Sequence, residues 1–223
     1  MGRVVGPVPV VLTLLALLAR AQSPAGAPIL LDRIAVTVDK QVITESDIIR
    51  YLRAAGFLDN KPVDLSAPSR RSAASTLVDQ VLMMKEASDS HFVLPTAEDV
   101  PALLRQVKMQ YSSDAAFEDA LKKYHITEPE LGEHLLAGAR ALRFTDLRFR
   151  PEVEISDADL RSAYDKYVSE WKAAHTEPPP SFEDSRANLE NLLTDQRSLE
   201  DLDKWLATAR MQSHIDYRAA AFQ

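Results

Sequence analysis

The chain has 223 residues, with 26 basic and 33 acidic side chains, a net charge of −7 and no cysteine. That acidity argues against a nucleic-acid binder and against a protein held on an anionic membrane surface. The missing cysteine excludes disulfides and a lipid-anchored lipoprotein. With 6 glycines against 46% hydrophobic and 26% charged residues the composition favours helices, and the length allows one or two domains with a real core.

The first element is a leader. Arg3 gives a positive start, and residues 8–19 are apolar apart from Pro9 and Thr13. Ala19-Arg20-Ala21 then supplies the small residues a signal peptidase needs, so residues 1–21 read as a signal peptide cleaved between Ala21 and Gln22. A helix over 8–19 would be roughly 18 Å long, too short for a hydrocarbon core of about 30 Å, so no stable membrane anchor is expected. The mature chain keeps 24 basic against 33 acidic residues, a balance of −9.

Ile34, Val36 and Val38 alternate with Ala35 and Thr37, Asp39-Lys40 is a two-residue turn, and residues 41–43 return: a β-hairpin. Thr44 with Asp47 forms a capping box for a helix over 45–55 that Gly56 should end. A loop over 59–68 leads to a long helix, 69–89, with Leu77, Val78, Val81, Leu82 and Met84 on its apolar face. Thr96 with Asp99 repeats the capping pattern, with Pro101 just beyond. Ser112 or Ser113 caps a helix carrying Phe117 and Leu121. Thr127 and Glu130 cap a helix running to about Phe149, apolar at Leu131, Leu135, Leu142 and Phe144. Ser156 with Asp159 opens a helix over 157–174 bearing Leu160, Tyr164 and Tyr167.

The prolines at 178–180 cannot lie inside a helix and read as a stiff linker. Residues 182–212 then read as one helix roughly 46 Å long, with Leu189, Leu192, Leu193, Leu199, Leu202 and Leu206 marking its buried side. The stretch "HIDYR" alternates again, with Ile215 and Tyr217 on one face. An isolated hairpin is marginal in water, so a strand at 214–218 is expected to join the 34–43 hairpin and tie the two ends of the chain together. The expected fold is mainly α: a helical module with a small β-sheet made by an N-terminal hairpin and a C-terminal strand, closed by a long C-terminal helix.

The stretch "DRIAVTVDKQVITESDI" resembles the start of the SurA family of periplasmic chaperones, in which such a strand pair is followed by a Ser-Asp helix opening. "LVDQVLMMKEASDSHFVLPTAEDV", "FEDALKKYHITEPELGEHL" and "VEISDADLRSAYDKY" are similar to later segments of that family's helical module. "FEDSRANLENLL" and "WLATARMQSHIDY" resemble its C-terminal helix and strand, which pack back on the N-terminal module. The likeness runs over nearly all of residues 30–218, in order. It implies an N-terminal SurA-like helical module over 22–174, a joint at 175–181, and a C-terminal helix and strand over 182–223. Relatives insert a parvulin isomerase domain at that joint. Only residues 168–181 separate Tyr167 from Phe182 here, and a domain needs about 50 residues, so prolyl isomerase activity is not carried over.

No chemistry-bearing constellation stands out. There is no Gly-x-Ser-x-Gly and no glycine-rich phosphate loop, so neither a catalytic residue nor a cofactor is expected. His125 and His134 lie near Glu130 and Glu133, but their spacing is not that of a helical zinc motif, and they read as surface histidines without a metal. Acid pairs such as Asp157 and Asp159 sit at helix starts and read as caps. Met83, Met84, Met109, Tyr111, Phe144 and Phe149 are the candidate peptide-binding residues, because flexible thioethers and aromatic rings suit a promiscuous apolar groove; plain core packing is the competing reading. The resemblance then implies an ATP-independent periplasmic chaperone. It would hold unfolded outer-membrane or exported polypeptides in a groove between the N-terminal helices and the long C-terminal helix. The alternatives are an adaptor with one dedicated partner and an isomerase with residual activity. The Pro-rich joint could also serve as a hinge for a domain-swapped homodimer.

Overall fold

Thr44 both ends a hairpin and starts a helix. In the computed structural model, which describes residues 1–2 and 32–222, its hydroxyl accepts from the Asp47 N–H while the Asp47 carboxylate accepts from the Thr44 N–H at 2.8 Å. The signal peptide read over residues 1–21, with its cleavage point between Ala21 and Gln22, falls almost wholly outside the described residues. The hairpin consists of β1 (Ile34–Val38) and β2 (Gln41–Thr44), and α1 (Glu45–Leu58) follows without a break. The remaining elements are α2 (Ala67–Asp89), α3 (Val100–Lys108), α4 (Asp114–Tyr124), α5 (Glu128–Arg148), α6 (Asp157–Ala174), α7 (Phe182–Gln212) and β3 (Ile215–Tyr217). Short 3₁₀ turns lie at Ala97–Asp99, Arg150–Glu152 and Ala219–Phe222.

The missing sheet partner is the far end of the chain. β3 pairs antiparallel with β1, Val36 opposite Tyr217 and Val38 opposite Ile215, so the strand order is β2-β1-β3. The hairpin turn takes part in the closure. Asp39 adopts a left-handed conformation (φ 52°) that Asp tolerates better than most residues, so Lys40 is spared it. Its N–H donates to the His214 carbonyl at 2.8 Å, and its carboxylate accepts from the His214 N–H and, at 2.7 Å, from Lys85 on α2. Those partners, Lys85 first, hold the Asp39 carboxyl below its ordinary range.

Among the described residues three apolar clusters form the core. The first joins the sheet to α2 through Ala35, Val36, Val38, Ile48, Ala74 and Val78. The second packs α1, α3, α4 and α5 around Phe57, Phe117 and Leu131. The third joins α2, α5 and α7 around Phe144. Half-buried Trp205 and Leu206 of α7 pack on both the first and the third. Arg210 fixes the end of α7 to α2: its Nε and one terminal nitrogen each reach an oxygen of Asp79 at 2.7 Å, and the latter nitrogen also donates to the Ser75 hydroxyl.

Several local expectations are corrected. Gly56 does not end α1, which continues to Leu58. A Cβ at Gly56 would stand 3.1 Å from the Lys61 carbonyl and 3.3 Å from Val63, so the glycine lets the following loop press against the helix. The long helix begins at Ala67, with Pro68 in its first turn where its missing N–H costs nothing. Leu142, Leu192 and Leu199 are exposed rather than buried. For α7 the reason is geometric. The first half of α7 packs on α6, burying Leu189, and its second half packs on α2 and α5 through Leu202, Trp205, Leu206 and Ala209, so the helix changes partner along its length. Leu192 and Leu199 lie in the stretch between these two contacts and are left exposed.

The chain end was not foreseen as part of the core. Phe222 and Ala221 are buried against the first cluster, Arg71 lies over the Phe222 ring, and Arg33 donates to the Ala220 carbonyl. Phe222→Ala should therefore lower the unfolding free energy by about 3 kcal/mol, read as a fall in the urea midpoint at unchanged slope. A loss below about 1 kcal/mol would mean that the end of the chain is not part of the core.

Candidate functional site

The three doublets of apolar residues on α2, Leu77-Val78, Val81-Leu82 and Met83-Met84, cannot all point one way. Successive residues stand about 100° apart. Val78, Leu82 and Met83 are buried in the core, and Leu77, Val81 and Met84, at i, i+4 and i+7, make a second apolar strip only partly covered. That strip is the floor of a groove of about 890 Å³. Ile43 and Val38 of the hairpin, Tyr51 of α1 and Ala137 of α5 continue the apolar surface.

The rim is charged but largely satisfied within itself. Asp39 pairs with Lys85, Asp47 with Arg50, and the Arg140 Nε donates to the Pro95 carbonyl at 2.8 Å. Glu130 is occupied as the cap of α5, accepting from the Thr127 N–H at 2.7 Å, and that bond above all pulls its carboxyl below the ordinary value. Five acids and four bases line the groove: Asp39, Asp47, Asp89, Glu130 and Glu133 against Lys40, Arg50, Lys85 and Arg140. The groove thus sets a near-neutral rim over an apolar floor.

At one wall His134 packs its ring against Tyr51, with centroids 5.0 Å apart. Burial pushes the imidazole below its ordinary 6.5, so it adds no charge to that wall at physiological pH. Among the described residues no group of three or more His, Asp or Glu side chains is placed to hold a metal ion.

The six sequence candidates are not brought together. Met84 lines the groove. Met83, Phe144 and Phe149 are interior residues of the third cluster, Phe144 meeting Phe149 edge-on and Trp205 at 5.3 Å. Tyr111 stacks on Phe57 with centroids 5.8 Å apart, where burial raises its hydroxyl above the ordinary pKa. Met109, at the end of α3, is 72% exposed and does not line the groove. Nor does α7 contribute a lining residue. The groove lies between the hairpin, α1, α2 and α5, not between these helices and the long C-terminal one. Apolar and aromatic lining residues that sequence reasoning missed include Leu77, Val81, Ile43, Tyr51 and His134. The doublets of α2 were the available signal, since a helix apolar on two faces needs two partners.

With this geometry in view, comparison with known families and with curated proteins gives no match to either. Among the described residues no helix is long and apolar enough to cross a membrane.

His134 makes the site sensitive to acid. Its pKa is lower folded than unfolded, so the unfolded chain takes up a proton first as pH falls below about 6.5. Its contribution is therefore fully present above that value and is lost as pH drops toward the folded pKa. The urea midpoint of the wild-type chain should fall more steeply between pH 7.5 and 5 than that of His134→Phe. Parallel profiles would show that this imidazole is as easily protonated as in the unfolded chain.

Proposed function

We propose that the chain is an ATP-independent periplasmic chaperone of the SurA type, reduced to its helical module, which holds unfolded outer-membrane or exported polypeptides. The observation that carries the reading is the groove: about 890 Å³, with an apolar floor and a self-paired rim. Its floor includes a flexible methionine, which can adapt to side chains of different shape. Such a surface binds without regard to sequence, and its affinity is modest, because an unfolded client loses conformational entropy on docking.

The segments that carry the resemblance lend support. "DRIAVTVDKQVITESDI" forms the hairpin and α1, and "LVDQVLMMKEASDSHF" supplies the floor. The terminal helix and strand return to the N-terminal hairpin, the packing the resemblance implies. α6 runs to α7 through residues 175–181, which leaves no room for an isomerase domain at that joint. The activity proposed is accordingly holding, not catalysis.

Light scattering of an outer-membrane β-barrel protein diluted from urea tests the reading. The purified chain should suppress aggregation in a dose-dependent manner without ATP. Met84→Lys, which sets a charge on the floor, should raise the half-effective concentration roughly tenfold in a variant whose helical circular dichroism is unchanged. Superimposed curves with and without the chain would overturn general holding and favour a single dedicated partner, to be sought by pull-down from periplasm.

A further inference from the structure

A second feature lies away from the groove, at the joint between α6 and α7. Tyr164, Tyr167 and Trp171 stand at i, i+3 and i+7, on one side of α6, each ring within reach of the next: 6.4 Å from Tyr164 to Tyr167 and 5.7 Å from Tyr167 to Trp171. His175 stacks on Trp171 with centroids 4.0 Å apart and planes 16° from parallel, and Phe182 meets Tyr164 edge-on at 5.3 Å. This aromatic ledge, with Tyr164, Tyr167 and Trp171 all half-buried, sits beside the chain's own Glu177-Pro178-Pro179-Pro180.

The contacts between the two have a definite chemistry. The Tyr164 hydroxyl donates to the Pro180 carbonyl at 2.8 Å, and the Trp171 indole N–H donates to the Glu177 carbonyl at 3.0 Å. A proline has no N–H, so a proline-rich segment can be recognised through its polar groups only by donors aimed at its carbonyls. Residues that precede proline are driven to extended or polyproline II conformations. In polyproline II, carbonyls three residues apart lie one turn apart on the same side. Residues 177 and 180 have that spacing in sequence, with the chain bending at Thr176 and Glu177 to bring the segment onto the ledge. Aromatic rings bearing an O–H and an N–H, set to meet carbonyls one turn apart, are what proline-recognition grooves use.

We propose that the aromatic ledge of α6 is a binding site for proline-rich polypeptide, held closed in this chain by its own residues 177–180. The tether makes the closed state hard to displace, since a segment on a short linker acts at an effective concentration in the millimolar range. The site is separate from the groove and does not depend on the function proposed for it.

The chain has two tryptophans, so its nitrogen-15 spectrum carries two indole signals, and decaproline is the probe. In wild type the Trp171 indole should stay in place until the probe exceeds roughly 1 mM, the scale of the tethered competitor. In the full chain with Pro178→Ser, Pro179→Ser and Pro180→Ser the Trp171 signal should move, saturably, at a concentration at least about tenfold lower. The Trp205 signal should not move, and Tyr164→Phe added to the triple variant should weaken binding several-fold through loss of the hydroxyl donor. A folded triple variant whose Trp171 signal ignores decaproline, or responds equally to a Gly-Ser peptide, would overturn the proposal and leave the contact as a loop staple. Should the triple variant lose its helical circular dichroism, wild type carried to tens of millimolar decaproline decides: a selective Trp171 shift supports the site, and no shift overturns it.

Discussion

Everything else in this fold depends on β1 having a partner on both edges. Ala35, Val36 and Val38 are at most 1% exposed. A buried strand must satisfy its backbone N–H and C=O groups on both sides, and the hairpin supplies only one side. β3 supplies the other from the opposite end of the sequence, and Asp39 clamps the arrangement by bonding to both the N–H and the carbonyl of His214. The clamp lies at the hairpin tip, where a left-handed Asp frees its own N–H and carboxylate for partners outside the hairpin.

Closing the sheet this way constrains α7, which immediately precedes β3 and must run along the module to deliver it. Ser75 and Asp79 of α2 receive Arg210, whereas Leu77 and Val81, two residues further along from each, face about 200° away. α7 therefore covers one side of α2 and leaves the opposite side bare. The groove is the uncovered side, walled by the hairpin, α1 and α5. Its position follows from where the terminal helix has to go.

Features governed by neighbours in sequence were legible without coordinates. The capping boxes at Thr44, Thr96, Thr127 and Ser156 involve residues three apart, and each forms as read. The helices over 157–174 and 182–212 begin and end where their caps and prolines imply, and the terminal strand was signalled by its alternation. What escaped was set by distant partners. Phe144 and Phe149 could be read as groove aromatics or as core because nothing local says that Trp205 will pack on them. Gly56 read as a helix stop because a close approach by Lys61 and Val63 has no sequence mark. Leu192 and Leu199 read as buried because a single apolar side was assumed for a helix that serves two partners in turn.

That change of partner along α7 divides the molecule energetically. None of the three apolar clusters contains a residue of α6. The α6–α7 hairpin rests on buried Leu160 and Leu189 and on ion pairs such as Arg186–Asp157 and Arg197–Asp159, each at 2.8 Å. Exposed pairs of this kind add little individually, so this arm belongs to the low-stability end of the structure, where local opening is easiest. The Ser156 hydroxyl and N–H, with Arg197, draw the Asp159 carboxyl down to about 2, and the arm keeps its cap well into acid. The groove, by contrast, is walled by the hairpin, α1, α2 and α5, elements distant in sequence that share the apolar clusters. The walls of the one surface are held by contacts distant in sequence, whereas the clasp of the other is local: two hydrogen bonds from α6 to the loop that follows it.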